Sequence, residues 1–167
     1  MTEIRTERLI LRHLRDSDAP ALAKAADNYE VARWLGLFPH PYTIDDAIWF
    51  INSNKGKLNQ AYGIFHQSNF IGIIGTDGLL GLGYWLAQGV WGNGFMTEAA
   101  VALINEHFKT PSADDIQSAY IVGNLGSARI QEKLGFEISG HKSVKRKYFG
   151  ETEQIQTVLT RERWLSL

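Results

Sequence analysis

The sequence predicts an α/β protein whose single mixed sheet has about seven mostly antiparallel strands and about four helices. Three observations support this fold class. Strand-like and helix-like patterns follow one another in the order β-α-α-β-β-β-α-β-α-β-β. The strand at 82–87, the helix after Gly94 and the strand at 117–122 form a crossover unit, which makes two neighbouring strands parallel. The 167 residues are enough for one domain, spanning 1–167, with a substantial core.

The N-terminal half begins with a strand and continues with helices. Alternating residues predict the strand over 4–13, and the segment 16–20, with its aspartates and Pro20, predicts a helix start. A short helical piece is expected at 30–35. Thr43 caps a further helix with Asp46 at its third position. The predicted buried stripe of that helix comprises Ile44, Ala47, Ile48 and Ile51.

Strands alternate with two helices in the remainder of the chain. The strands are predicted at 61–66, 70–76, 82–87, 117–122, 136–142 and 153–159. The helix after Gly94 has helix-spaced apolar residues at Ala100, Val101, Leu103, Ile104 and Phe108. The other helix begins at the cap Asn124 and ends at Gly135, with Phe136 as the apolar residue that follows a left-handed glycine.

Composition excludes several classes of function. The net charge is only −1, whereas nucleic-acid binders usually carry a basic excess. No cysteine is present, which excludes disulfides, thiolate zinc sites and cysteine nucleophiles, and we predict no metal site. Charges near the N-terminus and the glycines of the uncharged run 78–97 argue against a signal peptide and a membrane span. We expect a cytoplasmic protein that binds neither nucleic acid nor membrane.

A glycine-rich joint at 89–100 is the strongest functional signal. Gly92 and Gly94 stand where a strand passes into a helix, so a ligand can approach the backbone and the unpaired N–H groups of the helix N-terminus. No Lys-Ser or Lys-Thr pair follows Gly94 as in a triphosphatase loop, and Thr97 occupies a place that dinucleotide fingerprints give to a smaller residue. The remaining interpretation is a pyrophosphate bound mainly by backbone N–H groups, and coenzyme A fits this interpretation. Tight strand–helix packing is the alternative. The similar glycine spacing at 78–84 is interpreted as a hairpin turn.

Together, this joint and the segment 124–136 resemble the GNAT superfamily of acyl-CoA-dependent N-acetyltransferases. The chain is most similar to the branch that contains the ribosomal-protein-alanine and ribosomal-protein-serine N-terminal acetyltransferases. The matching stretches, in order along nearly the whole chain, are TERLILR at 6–12, GYWL at 83–86, GNGFMTEA at 92–99, EKLGF at 132–136 and RERW at 161–164. The resemblance implies the GNAT acyl-CoA N-acyltransferase fold, in which a central parallel pair splays apart around the pantetheine arm of the cofactor.

The resemblance also implies acetyl-CoA as the cofactor and assigns its contacts. The pantetheine arm is expected on the strand residues Tyr84, Trp85, Leu86 and Ala87. The pyrophosphate is expected at Trp91, Gly92, Asn93, Gly94, Phe95, Met96 and Thr97. Asn124 is expected to bind the pantetheine amide as well as cap its helix, and Arg129 to reach a cofactor phosphate. The alternatives are that Asn124 only caps its helix and that Arg129 is simply an exposed arginine on that helix.

The implied reaction is direct attack by a neutral primary amine on the thioester in a ternary complex. A backbone N–H near Leu86 would stabilise the oxyanion. Many GNAT enzymes protonate the leaving thiolate with a tyrosine seven residues after the motif asparagine, but Gln131 occupies that place. In the resembled branch a serine three residues after the asparagine takes this role, which makes Ser127 the catalytic candidate; local hydrogen bonding is its alternative. Arg146 stands where some relatives have a glutamate base, so water-mediated deprotonation or selection of neutral amine is open.

The acceptor amine, on a protein N-terminus or a small molecule, is expected at the irregular segment 34–42. The candidates there are Trp34, Phe38, His40 and Tyr42, with core packing as the alternative. The basic run Lys142, Lys145, Arg146 and Lys147 is interpreted first as a protected strand edge and second as an attraction for an acidic peptide or a ribosomal surface. A homodimer formed through exposed strands is a further expectation. The rival functions are a non-catalytic coenzyme A sensor on the same fold and, more distantly, a dinucleotide-dependent oxidoreductase.

Overall fold

The computed structural model describes residues 3–36, 38–56, 61–77 and 81–167, and eight strands and six helices lie within them. The strands are β1 (Glu3–Arg5), β2 (Leu9–His13), β3 (Ala61–His66), β4 (Asn69–Asp77), β5 (Gly81–Leu86), β6 (Ile116–Ile121), β7 (Glu137–Arg146) and β8 (Gly150–Leu159). The helices are α1 (Ala19–Ala26), α2 (Tyr29–Ala32), α3 (Ile44–Asn54), α4 (Phe95–Phe108), α5 (Leu125–Lys133) and α6 (Arg161–Ser166). Short 3₁₀ turns precede α1 and follow β5.

All eight strands form one sheet in the order β1-β2-β3-β4-β5-β6-β8-β7. Each neighbouring pair is antiparallel except β5 and β6, so the predicted mixed sheet with one parallel pair is confirmed. The basic run lies on the edge strand β7 and just beyond it, as predicted. Part of the predicted turn at 78–84, residues 78–80, lies outside the described residues; β4 and β5 pair antiparallel on either side of it.

The prediction of one strand over 4–13 is wrong, because a turn divides that segment into β1 and β2. The two strands fold back on each other with Ile4 opposite Leu11. Thr6 holds the turn, since its backbone N–H donates to the Leu9 carbonyl at 3.0 Å and its hydroxyl accepts from the Leu9 N–H at 2.9 Å. The divided strand gives the eighth strand. The two helices beyond the predicted four are the short α2, expected only as a helical piece at 30–35, and the C-terminal α6, which the sequence analysis did not predict.

Helix ends follow the predicted caps, whereas one predicted buried face does not. Thr43 and Asp46 form the capping box of α3, with the Asp46 N–H donating to the Thr43 hydroxyl at 3.2 Å. The predicted buried stripe of α3 is only half right. Ala47 and Ile51 are buried, but Ile44 and Ile48 are 51% and 42% exposed. Helix α3 packs on α1 along a narrow line, so the flanking isoleucines stay at the surface.

Two hydrophobic clusters lie on opposite faces of the sheet. One cluster packs α4 and the end of α5 on the sheet, and the other packs α1 and α3 on it. Residues of β5 alternate between them, because successive side chains of a strand point to opposite faces. Leu82 and Leu86 therefore join the α4 cluster, whereas Trp85 packs against the other.

A partly buried carboxylate ties the first hairpin to the start of α4. The Glu98 carboxylate accepts hydrogen bonds from the Thr6 hydroxyl at 2.5 Å, the Arg8 N–H at 2.9 Å and the Arg8 Nε at 2.7 Å. Burial alone would raise the pKa of Glu98, but these hydrogen bonds and the Arg8 charge hold that pKa below its ordinary value of 4.5. Glu98 is therefore a structural carboxylate, in keeping with its position in the first turn of a helix.

Replacing Glu98 by glutamine should lower the free energy of unfolding by about 1 kcal/mol at neutral pH, because the charge-assisted bonds weaken while the partly exposed Arg8 is screened by solvent. A depressed pKa stabilises the fold above the unfolded value and loses this contribution as the pH falls through the folded value. The difference between parent and Glu98→Gln, measured by urea unfolding, should therefore be complete above pH 4.5 and vanish progressively below it. The exposed-site control Glu132→Gln should show no such dependence. A difference that persists unchanged at low pH would contradict this account.

Candidate active site

The parallel pair β5 and β6 opens into a gap. The strands share one register position, Leu82 opposite Ser118, near the start of each strand. The Ser118 hydroxyl also donates to the Leu82 carbonyl at 2.8 Å. Beyond that position the described residues of the two strands are not paired with each other, so the backbone groups that face the gap have no strand partner.

A buried polar chain holds the two strands together at the closed end of this gap. The Gln131 amide nitrogen donates to the Ser118 hydroxyl at 3.0 Å, and the Thr157 hydroxyl donates to the Gln131 amide oxygen at 2.6 Å. All three side chains are buried. The side chain at the place of the usual catalytic tyrosine thus bridges α5, β6 and β8 and serves as a structural link.

Strand alternation decides which β5 residues present their backbone to the gap. The Ala87 N–H donates to the Ile71 carbonyl of β4 at 2.8 Å. In an antiparallel pair this pattern alternates, so the backbone groups of Trp85 also face β4, whereas those of Tyr84 and Leu86 face β6. Trp85 and Ala87, both predicted to bind pantetheine, therefore point their backbone away from the gap.

Some of the remaining gap-facing groups are already engaged. The Trp91 indole donates to the Leu86 carbonyl at 2.8 Å. In the described part of the chain, the Leu86 N–H and the backbone groups of Tyr84 lie beyond the one paired position of β5 and β6, where a ligand can bind them. A ligand with amide groups could therefore extend the sheet along this edge of β5 by backbone hydrogen bonding.

The glycine joint leaves unpaired N–H groups at the N-terminus of α4. Gly92 and Gly94 have φ values of +80° and +77°, a backbone conformation that residues other than glycine rarely adopt. The first bond inside the helix runs from the Glu98 N–H to the Gly94 carbonyl at 3.0 Å. Three N–H groups therefore lack a partner within the 14-residue helix, those of Phe95, Met96 and Thr97.

Side chains of the joint brace the loop or enter the core. The Asn93 amide donates to the carbonyls of Val90 and Trp91 at 3.0 and 3.2 Å, and Phe95 and Met96 are buried. Any anion held here is therefore held by main-chain N–H groups, as predicted for a pyrophosphate. A cavity of about 540 Å³ adjoins the joint and is lined by Thr6, Gly94, Thr97, Glu98, Val101, Ala102, Asn105 and Lys133.

Helix α5 presents Ser127 to the side chain of Tyr84. The Asn124 side chain caps this helix, accepting from the Ser127 N–H at 3.1 Å. The oxygens of the Ser127 and Tyr84 hydroxyls are 2.8 Å apart, within hydrogen-bond distance. Burial raises the pKa of Tyr84, although hydrogen bonds with Ser127 and Gln131 partly oppose the rise. The phenol therefore stays protonated at neutral pH and is available as a donor.

Sequence reasoning missed the Tyr84 side chain, since it assigned only the backbone of this residue. The signal was present in the alternation of β5, which places Tyr84 on the same face as Leu82 and Leu86. That face is covered by α4 and α5, and α5 carries Ser127. Arg129, predicted to reach a cofactor phosphate, lies exposed on α5, and its role stays a prediction.

The predicted acceptor residues divide into two groups. Phe38 and Tyr42 stack with ring centroids 4.7 Å apart, and Phe38 also meets Trp85 edge-on at 5.6 Å. Tyr42 is only 6% exposed. Both residues pack in the cluster beneath α1 and α3, so they fit the alternative interpretation, which is core packing. Trp34 and His40 lie outside this cluster.

Residues 28–34 bridge the open ends of β5 and β6. The Asn28 amide nitrogen donates to the Gln88 side-chain oxygen just after β5, at 2.9 Å. At the other end of the segment, the Trp34 ring lies beside Gly123, 3.8 Å from where a Cβ on that glycine would stand. Gly123 lies in the turn that follows β6. The segment that contains helix α2 therefore lies across the mouth of the gap.

Comparison with known proteins decides the family. The profile of the acetyltransferase (GNAT) domain matches residues 8–137, which include β5, the glycine joint, Asn124 and Ser127. The chain belongs to the GNAT acetyltransferase family. The protein is therefore an acetyltransferase, which sets it apart from the dinucleotide-dependent oxidoreductases considered above. Among the described residues, no helix is long and apolar enough to cross a membrane.

Individual relatives agree in length and fold. The uncharacterized N-acetyltransferase YoaA of Bacillus subtilis is 29% identical over 149 residues, covering 82% of this chain and 84% of YoaA. The ribosomal-protein-S5-alanine acetyltransferase of Vibrio fischeri superposes with a TM-score of 0.81 at 21% identity, covering 98% and 99% of the two chains. RimL, a ribosomal L7/L12 α-N-protein acetyltransferase solved with coenzyme A, gives 0.80 at 18% identity, covering 95% and 97%. The predicted GNAT fold is confirmed.

A valine at position 92 should weaken coenzyme A binding by at least about tenfold, because its side chain would obstruct the approach of an anion to the joint and disfavour the left-handed backbone. The measurement is titration calorimetry with coenzyme A. Gly56 is a matched control, since it has a φ of +75° with equally open surroundings and lies at the end of α3. Gly56→Val should lose similar stability yet bind coenzyme A like the parent. Unchanged affinity in Gly92→Val would remove this loop from the cofactor site.

Proposed function

We propose that this protein transfers the acetyl group of acetyl-CoA to a primary amine by direct attack within a ternary complex. The observation that carries the proposal is the Tyr84–Ser127 hydroxyl pair beside a strand edge whose backbone groups are free. The chain fits the cofactor at two places, the β5 edge for the amides of pantetheine and the α4 N-terminus for the pyrophosphate. When bound, acetyl-CoA supplies an acetyl group activated by a thiol leaving group.

Placement is the first contribution of the protein. The free backbone groups of Tyr84 and Leu86 fix one reactant along β5, while the segment 28–34 limits the approach of the other. Holding two reactants together in this way can supply about 7–11 kcal/mol of the barrier reduction. The Leu86 N–H, which faces the gap, donates to the carbonyl oxygen as negative charge develops on it.

Proton donation to the departing sulfur is assigned to Ser127. Its hydroxyl donates toward the sulfur while the Tyr84 hydroxyl donates to Ser127 Oγ, which offsets the charge left on the serine oxygen. Because burial raises the pKa of Tyr84, this second donor keeps its proton at working pH. The pair, on β5 and α5, supplies the proton donor that Gln131 does not supply, because Gln131 is engaged in the buried polar chain.

Deprotonation of the acceptor is assigned to solvent. Arg146, which occupies the place of the glutamate base of some relatives, cannot accept a proton. The acceptor therefore enters as the neutral amine or loses its proton to water. RimL and the Vibrio fischeri protein are named as acetyltransferases of ribosomal proteins, which supports a protein N-terminus as one acceptor class. The cytoplasmic location and the homodimer stay predictions of the sequence.

The test of this function is release of free thiol from acetyl-CoA, measured across small amines and N-terminal peptides with mass detection of the acetylated product. Turnover with at least one amine, and none in its absence, is the expected result. Tight coenzyme A binding without turnover on any amine would favour the sensor alternative.

Substituting Ser127 by alanine should lower kcat on the order of a hundredfold, because the sulfur would depart without a donor. The dissociation constant of acetyl-CoA should stay close to that of the parent, since the cofactor is held by main-chain groups. Stopped assays of thiol release and calorimetry separate the two quantities. Ser143→Ala, an exposed site on β7, is the control.

Tyr84→Phe extends the same test to the second hydroxyl. It should lower kcat by about tenfold, because the free energy of one hydrogen bond corresponds to about that factor in rate. The backbone contacts of β5 should stay in place. If Ser127→Ala turns over like the parent, Ser127 has no part in proton donation.

A further inference from the structure

The tip of the β7–β8 hairpin folds against α2 at the mouth of the gap. Arg146 Nη1 donates to the Arg33 carbonyl at 2.6 Å, and the Arg146 guanidinium lies over the Phe149 ring, 4.9 Å from its centroid. Phe149 in turn meets the Tyr29 ring with centroids 6.0 Å apart. Since α2 bridges the ends of β5 and β6, these residues line the entrance used by the acceptor. We call them the entrance cluster: Tyr29, Arg33, His40, Arg146 and Phe149.

Arg146 is partly buried, yet no carboxylate of the described chain forms an ion pair with it. Five other arginines do form ion pairs, among them the partly buried Arg12, which lies 2.8 Å from Asp18. The cross-strand partner of Arg146 is Gly150, which carries no charge, whereas its neighbour Lys145 stands opposite Glu151. Within the described residues Arg146 Nε is buried and has no hydrogen-bond partner.

A partly buried cation without a counter-charge is costly, because burial removes its hydration and no group of opposite charge replaces it. The cost is visible in Arg146, whose pKa burial lowers despite an opposing interaction with Tyr29. The other three cations of the basic run are exposed to solvent and carry no comparable cost. An anionic ligand would offset it, since a guanidinium binds carboxylate and phosphate groups through two donors at once.

A second buried polar atom in the entrance cluster also lacks a hydrogen bond. His40 Nδ1 has no hydrogen-bond partner among the described residues, and the nearest carboxylate oxygen, of Asp27, is 3.9 Å away. The His40 ring meets the Tyr29 ring edge-on at 5.8 Å. Tyr29 itself is 54% exposed and thus offers an open aromatic surface between the two polar groups. The cluster combines a cation, a further polar atom and an aromatic surface.

We propose that the entrance cluster is an acceptor subsite for a carboxylate or phosphate group, and that the preferred substrates are primary amines carrying such a group near the amine. This inference rests on the proposed acetyl transfer. Arg146 binds the anionic group through its guanidinium, and Tyr29 and Phe149 pack against the carbon skeleton next to it. Arg146 is then a specificity residue, whereas Ser127 and Tyr84 serve any acceptor.

The experiment compares matched acceptors that differ in one anionic group. The pairs are an amino acid against its amide, a peptide amide with Asp against Asn at the second position, and phosphoethanolamine against ethanolamine. They separate an α-carboxylate, a side-chain carboxylate and a phosphate as the source of charge. The parent should favour the anionic member of at least one pair by on the order of tenfold in kcat/KM. Equal rates within every pair would overturn the proposal.

Variants assign the preference to Arg146. Arg146→Gln should raise KM for the anionic acceptor on the order of tenfold with little change in kcat, and should leave the neutral member unaffected. Arg146→Lys should restore part of the preference by retaining the charge. Lys147→Gln removes a neighbouring exposed cation and should behave like the parent. If Arg146→Gln slows both members of a pair equally, Arg146 only supports the hairpin tip and the proposal fails.

Calorimetry keeps the proposal testable without turnover. Titrating the anionic and neutral amines into the coenzyme A-loaded parent and into Arg146→Gln should show binding of the anionic member that the variant loses. Turnover without any preference would refute the anion subsite alone. Absence of turnover on every amine would refute the proposed function, while the titration would still decide whether the subsite exists.

Discussion

The single pairing between β5 and β6 is the constraint on which the site depends. At Leu82 and Ser118 the strands are joined by sheet geometry and by the buried chain through Gln131 and Thr157. Beyond that position they leave backbone groups without strand partners, which a folded protein accepts only where solvent or a ligand can satisfy them. The closed end of the gap is therefore held by hydrogen bonds, whereas backbone groups at its open end have no strand partner.

The proposed recognition of the cofactor relies on backbone geometry. The free groups on β5 and the N–H groups that open α4 belong to the main chain, so their positions follow from the strand register and the glycine conformations. The N-terminal hairpin reinforces this geometry, because Arg8 binds both Glu98 in the first turn of α4 and the Asn93 carbonyl in the loop. A segment far away in sequence thus steadies the anion site.

The acceptor end of the gap is built on side chains. Residues of α2, the segment around His40 and the β7–β8 tip meet there, and their aromatic and cationic groups differ in kind from the backbone donors of the cofactor end. This division separates two tasks. In the proposed function, the cofactor is held by main-chain groups, whereas the acceptor is chosen by side chains.

The sequence by itself determined the features that depend on short-range interactions. The capping box at Thr43 and the cap at Asn124 were predicted and are present. The end of α5 was also predicted and is present: the Phe136 N–H donates to the Gln131 carbonyl past the left-handed Gly135. Each involves partners within five residues, so local composition suffices to specify it.

Only the tertiary structure decided which distant side chains meet. The hairpin within 4–13 is attached to α4 because Thr6 and Arg8 reach Glu98, about ninety positions away. Contact of Tyr84 with Ser127 depends on how α5 packs over the sheet. Burial of Phe38 and Tyr42, exposure of Ile44 and the missing counter-charge at Arg146 are likewise set by what packs around each residue. Hydrogen bonds near in sequence follow from the order of residues, whereas burial and long-range pairing follow from the assembled fold.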